Sequence, residues 1–165
     1  MNTMKVLGLA LMALGWAGCA MQMPQVGAQA PDAVVEPLLE PGKKVSIVTA
    51  SRVKVLDFWA TWCGPCQETM PFVQKLFDSY KDKGVDIMAI SNESPATVAE
   101  HRRQSSSFTY PVYLDLYGDA TRRYNVRTIP HMVVIDGTGK IVFEGSPFEA
   151  ASVTNAIDSA LMSGK

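Results

Sequence analysis

An apolar run from Val53 to Ala60 gives way almost at once to Trp62-Cys63-Gly64-Pro65-Cys66. A short run rich in β-branched and aromatic residues, bounded by turn formers, predicts a buried strand. Pro65 suits the first turn of a helix, where its missing N–H costs little. The segment therefore predicts a strand that feeds directly into a helix, with two thiols at the junction. If Cys63 opens that helix, the two Cβ atoms lie about 5–6 Å apart before any adjustment, and small adjustments bring the sulfurs into disulfide range. The free N–H groups and positive dipole end of a helix N-terminus favour a thiolate, and such spacing lowers the first thiol from about 8.5 toward roughly 7 or below. Cys63 is thus the candidate nucleophile. Cys66, one turn further in, is the candidate resolving thiol for a mixed disulfide. Gly64 leaves room for another chain to approach.

Two other readings of the pair exist. A structural disulfide across so small a loop removes little chain entropy. A zinc site needs two further ligands, and only His101 and His131 are available as nitrogen donors, neither in a ligand-spaced pair. A copper-binding module using Cys63, Cys66 and His131 is the alternative of a different class. Redox exchange is the reading that the spacing favours, and no metal site is expected.

Asp57 interrupts the apolar run. Alternation places it on one face with Val53, Val55 and Trp59, opposite Leu56, Phe58 and Ala60. It is either a solvated edge residue or a buried acid. Burial would raise its pKa and let it exchange a proton with Cys66.

The stretch Phe58-Trp59-Ala60-Thr61-Trp62-Cys63-Gly64-Pro65-Cys66 resembles the active-site signature of the thioredoxin superfamily. Asp57 matches the position of that family's buried aspartate, and Arg127-Thr128-Ile129-Pro130 matches the loop that carries its cis-proline. The resemblance implies a thioredoxin fold, an α/β architecture with a central mixed β-sheet flanked by helices. It also implies that Pro130 faces the disulfide, and that Ile129 pairs with substrate backbone by β-augmentation. Trp62, Gly64 and Pro65 complete the implied substrate surface. The long separation of Cys66 from Pro130 resembles the TlpA/ResA-like branch of exported proteins, with an inserted αβ unit over Asn92 to Leu116.

Three positions depart from that pattern. Asp57 stands where the branch often has Asn. Thr69 stands where members serving cytochrome c maturation often carry Glu, with Glu68 one place earlier, which weakens a cytochrome assignment. His131 follows Pro130 where Thr is commoner.

The N-terminus reads as an export signal: Lys5, then an apolar run from Val6 to Ala17 too short for a comfortable span. Ala17-Gly18-Cys19 fits a lipoprotein cleavage box, with Trp16 where Leu is usual. The expected organisation is a signal peptide over 1–18, lipidation at Cys19, a tether over 19–42 and a thioredoxin-like domain over 43–165. Cleavage after Ala30, giving a soluble periplasmic protein, is the alternative. Export implies an oxidising compartment, so a reductase there needs a membrane thiol electron donor. Its clients would be disulfide-containing exported proteins, an apocytochrome c among the candidates. No cofactor is required, because the cysteines carry the electrons.

With 165 residues and 47% hydrophobic composition, one domain with a real core is expected. The net charge of −1 and the absence of a basic patch exclude nucleic acid as a natural partner. Periodicity and caps predict strands at Val45–Thr49, Val53–Trp59, Val85–Ser91 and Val112–Leu114. Helices are expected from Cys63 to Tyr80 with a kink near Pro71, after a Ser94 cap to Gln104, and around Asp119–Tyr124. Met132–Ile135 and Ile141–Phe143 form a hairpin, and a C-terminal helix carries Ala150, Val153, Ile157 and Leu161. His101, Arg102 and Arg103 are expected on a solvated face of the inserted helix.

Overall fold

The computed structural model describes residues 24–49, 51–105 and 108–163. Seven strands form one sheet in the order β2-β1-β5-β4-β3-β6-β7. The strands are β1 (Val34–Pro37), β2 (Val45–Ser46), β3 (Val53–Phe58), β4 (Val85–Ser91), β5 (Val112–Leu114), β6 (His131–Ile135) and β7 (Ile141–Gly145). Strands β3, β4 and β5 run parallel; β6, β7, β1 and β2 join antiparallel. Parallel neighbours need crossovers. Helix α1 (Gly64–Tyr80) connects β3 to β4, and α2 (Pro95–Gln104) connects β4 to β5. Helix α3 (Asp119–Arg123) precedes β6, and α4 (Ala150–Ser163) closes the chain.

Both faces of the sheet are covered, which is why its central strands are apolar throughout. The period of two assigns each side chain to one layer. Val53 and Val55 of β3, Ile87 and Ala89 of β4, and Met132 and Val134 of β6 pack with α1 and α4. Leu56, Phe58, Met88, Ile90, Val133 and Ile135 pack on the opposite side with Ala33, Val35, Ala120 and Tyr124. Fully burying each Val, Leu, Ile, Phe or Met side chain among them contributes about 1.5–3 kcal/mol. The sheet also holds an ion pair: Lys54, buried on β3, meets Asp86 of β4 at 2.5 Å, and Arg52 shares the same carboxylate.

The mixed sheet with its flanking helices is the expected thioredoxin fold, and α2 with β5 occupies the expected insertion. The domain boundary differs from expectation. Gln29 bridges Lys140, Gly27 N–H donates to the Ile141 carbonyl, and β1 lies between β2 and β5 with Ala33 and Val35 buried. Residues expected in the tether from about 27 to 41 therefore belong to the folded domain, because β5 offers β1 a free edge. Strand β2 is shorter than the run Val45–Thr49 suggested. Helix α1 continues through Pro71 as one element. The leader and Cys19 lie outside the described residues.

Candidate functional site

Strand β3 ends at Phe58 in the middle of the sheet, and the next five residues carry the chain to α1. Cys63 is the N-cap of α1, in extended conformation, and Pro65 lies in the first turn. Cys63 and Cys66 are joined as a disulfide with Cα atoms 5.2 Å apart. The Cys66 N–H donates to Cys63 Sγ at 3.2 Å. A backbone donor at a helix N-terminus stabilises negative charge on that sulfur. The cysteines are 4% and 2% exposed, so in this oxidised form Cys63 is scarcely more open than Cys66. Both side chains belong to the buried cluster between the sheet and α1, so the expected contrast between them is small.

Asp57 is 3% exposed and alternates with Val55 and Trp59 on the face that packs against α1. The solvated-edge alternative is thereby excluded. Its Oδ1 has no hydrogen-bond partner among the described residues, and burial pushes its carboxyl up to about 7. The buried phenol of Tyr110 from the inserted segment feels the Asp57 charge, which together with stronger desolvation raises its own pKa.

The Ile129–Pro130 peptide is cis, as the resemblance implied. The β3–β6 ladder ends at Phe58↔His131, so Ile129 lies past the last pair, at the sheet end where Cys63 sits. Trp62, 74% exposed, lines a groove of about 390 Å³ together with Thr128 and Ile129. A Cβ placed on Gly64 would meet no atom within 4 Å, so that position faces open space. His131 is half-buried, 3.5 Å from Glu144, and desolvation lowers its pKa against the pull of that carboxylate. Thr69 is buried, and its hydroxyl donates to the Cys66 carbonyl at 2.9 Å.

Two neighbours of the site carried no sequence expectation. Glu93, in the β4–α2 loop, accepts from Thr61 N–H and from Thr61 Oγ1, both at 2.7 Å, and from Ser91 Oγ at 3.2 Å. Gln67 donates to the Thr61 carbonyl at 3.0 Å. The loop before Cys63 is thus clamped from two elements. His101 departs from the solvated face assigned to it: its ring lies 5.5 Å from Trp59 and stacks on Phe108. Arg102 reaches over Phe108 and donates to the Tyr110 carbonyl. Among the described residues no group of three or more His, Cys, Asp or Glu is placed to hold a metal ion.

Two cysteines at the start of a helix that leaves a central strand, opposite a cis-proline loop, define a thioredoxin-type dithiol protein. A family model described as Redoxin matches residues 25–159, a span that includes the N-terminal strand. The thiol-disulfide oxidoreductase ResA of Bacillus thuringiensis subsp. konkukian is 33% identical over 121 residues, covering 73% of this chain and 69% of the relative. A putative thiol:disulfide interchange protein DsbE from Chlorobium tepidum superposes with a TM-score of 0.74 at 26% identity, over 84% of this chain and 99% of that one. A putative protein disulfide isomerase from Bacteroides thetaiotaomicron gives 0.75 at 28% identity, over 84% and 91%. The chain belongs to the redoxin family and, within the thioredoxin superfamily, is TlpA/ResA-like. It is a thiol-disulfide oxidoreductase.

Proposed function

We propose that this oxidoreductase reduces disulfides in exported proteins, working outside the cytoplasm from a membrane tether. The observation that carries the reading is the Cys66 N–H donating to Cys63 Sγ at the N-cap of α1, with a buried Asp57, whose Oδ1 has no partner among the described residues, on the face that packs against α1. In the reduced protein the Cys63 thiolate attacks one sulfur of a client disulfide. That S–S bond breaks, the client's leaving sulfur takes a proton, and a Cys63–client mixed disulfide remains. Cys66 then gives its proton to the Asp57 carboxylate and attacks Cys63 Sγ. The second client sulfur leaves, and the Cys63–Cys66 disulfide forms. Two electrons have passed to the client, and a membrane thiol donor restores the dithiol.

Ile129 and Pro130 would align the client backbone, while Trp62, Gly64 and Pro65 form the surface it meets. The Gly64-Pro65 pair between the cysteines resembles that of reducing thioredoxins. Lipidation at Cys19 would supply the tether, now confined to the residues before about 27. Among the described residues no helix is long and apolar enough to cross a membrane. No separate cofactor enters this cycle.

The test is trapping with Cys66→Ser, which should accumulate Cys63-linked client proteins resolvable by reductant and identifiable by mass. Absence of any linked protein despite a reactive Cys63 would count against exchange with protein clients. Equilibration with glutathione buffers tests direction: a potential near the roughly −120 mV of a strong exported oxidant would overturn the reductase assignment.

A further inference from the structure

Beside the cysteine pair, the groove runs between Trp62 and the segment 127–129, with Phe58, Ile90 and Val126 among its apolar lining. Its volume of about 390 Å³ is at the low end of the roughly 300–1,000 Å³ of small-ligand clefts. That size suits one bulky side chain better than a large cofactor.

Among the described residues Arg127 is the one charged side chain lining the groove. Other arginines of the domain are committed: Arg52 to Asp86, Arg103 to Glu100, Arg122 and Arg123 to Asp119. Arg127 is exposed and pairs with no carboxylate among the described residues. Its Nε instead donates to Asn125 Oδ1 at 3.2 Å. Asn125 has a φ of 49°, and its N–H donates to the Arg122 carbonyl at the end of α3. A left-handed backbone at a non-glycine residue is uncommon, and here it supplies the amide oxygen that Arg127 leans on. The guanidinium is therefore held at the rim with its charge unspent. Two acids around the cysteine site are engaged elsewhere, Glu93 with Thr61 and Ser91 and Glu144 beside His131.

We propose that this rim selects clients whose reacting cysteine is flanked by a bulky apolar residue and a carboxylate. The apolar side chain enters the groove against Trp62, and the carboxylate pairs with Arg127. The proposal rests on the thiol-disulfide exchange reading and gives it a client chemistry: an apolar-acidic extended segment.

Four peptides test it, each with one cysteine activated as a 2-thiopyridyl disulfide and flanked by Phe or Ala on one side and Asp or Lys on the other. The rate of thiopyridone release by the reduced full-length protein is measured, and reduction of 2-hydroxyethyl disulfide, a neutral, side-chain-free substrate, is followed separately as loss of protein thiols. The Phe/Asp peptide should react fastest, and Asp should exceed Lys by about three- to tenfold at low salt, as an exposed ion pair exchanged for a repulsion allows. That ratio should shrink toward one at about 1 M salt. Arg127→Glu should invert it, Arg127→Gln should abolish it, and Trp62→Ala should remove the preference for Phe. An Asp-to-Lys ratio that is insensitive to salt and unchanged in Arg127→Glu overturns the proposal. The salt series on the unaltered protein decides the matter even if a variant fails to fold. No reaction with any substrate, hydroxyethyl disulfide included, would instead refute the exchange activity. Equal reaction with all peptides refutes only the selectivity.

Discussion

Replacing Asp57 by Asn is expected to stabilise the oxidised domain strongly at alkaline pH and little in acid. The carboxyl is 3% exposed, its Oδ1 meets no partner among the described residues, and burial holds its pKa up at about 7. An Asp in the unfolded chain titrates near 3.9, and the gap of about three units at about 1.36 kcal/mol each comes to about 4 kcal/mol. Between pH ~4 and pH ~7 the folded protein keeps a proton that the unfolded chain has lost, so stability falls as pH rises through that window. Above about pH 7 the full cost of an ionised, desolvated carboxylate is present. Asn has nearly the same shape and never ionises. Its advantage over Asp should therefore be small near pH 4, grow by up to about 1.4 kcal/mol per pH unit, and level off near pH 8. Partial solvation as the charge develops makes about 4 kcal/mol an upper figure, with about 2–3 kcal/mol a reasonable plateau. Urea unfolding of both oxidised proteins between about pH 4 and 8 measures the difference directly. A stability difference that is constant across that range would refute the assignment of a desolvated carboxyl at this position.

Glu93→Ala should cost about 1–2 kcal/mol, because it strips acceptors from the Thr61 N–H and hydroxyl in a partly buried loop. Glu93→Gln, which keeps one acceptor oxygen, should cost less; a shift in urea midpoint at constant slope is the readout. Asp86→Ala should destabilise by about 2–3 kcal/mol, short of the roughly 3–5 kcal/mol for a fully buried pair because Asp86 is partly solvated. Lys54→Met should instead be close to neutral, since it removes the buried charge itself; a large loss in thermal unfolding would show that the Lys54 ammonium contributes net stability.

How legible these features are in the sequence depends on how local their causes are. Strand β4 appears at its expected limits, and α2 begins with Ser94 accepting from Thr97 N–H and Pro95 in the first turn. Both follow from residues within one turn of each other. Strand β1 does not, because Val34 and Val35 sit among prolines and glycines, and the strand exists through pairing of Val34 and Val35 with β2 and of Glu36 and Pro37 with β5, far along the chain. The cysteines are legible in their spacing, and Asp57 and the Ile129-Pro130 loop in their resemblance to the thioredoxin pattern. Glu93 had no such signature, although its place just past the carboxyl end of a parallel strand is where α/β sheets put functional side chains. His101 could have been assigned inward, since it lies three residues beyond the buried Val98 on the same helical face. Its charge neighbours Arg102 and Arg103 argued for solvent, and aromatic packing on Trp59 prevailed.

In the proposed cycle, Asp57's cost to stability and its service in exchange have one origin. A proton passes readily between two groups only when their pKa values are close. An ordinary carboxyl near 3.9 and an ordinary thiol near 8.5 are too far apart. Burial lifts Asp57 toward 7, and the helix N-terminus favours thiolate at the pair, so the two approach each other from opposite sides. The same Asn substitution that stabilises the domain above pH 7 should therefore slow release of the mixed disulfide, while leaving formation of that intermediate by Cys63 nearly untouched. Single-turnover reduction of a disulfide peptide separates the two steps. Slower release without the accompanying alkaline stabilisation would mean that Asp57 acts from solvent, and the shared origin would be wrong.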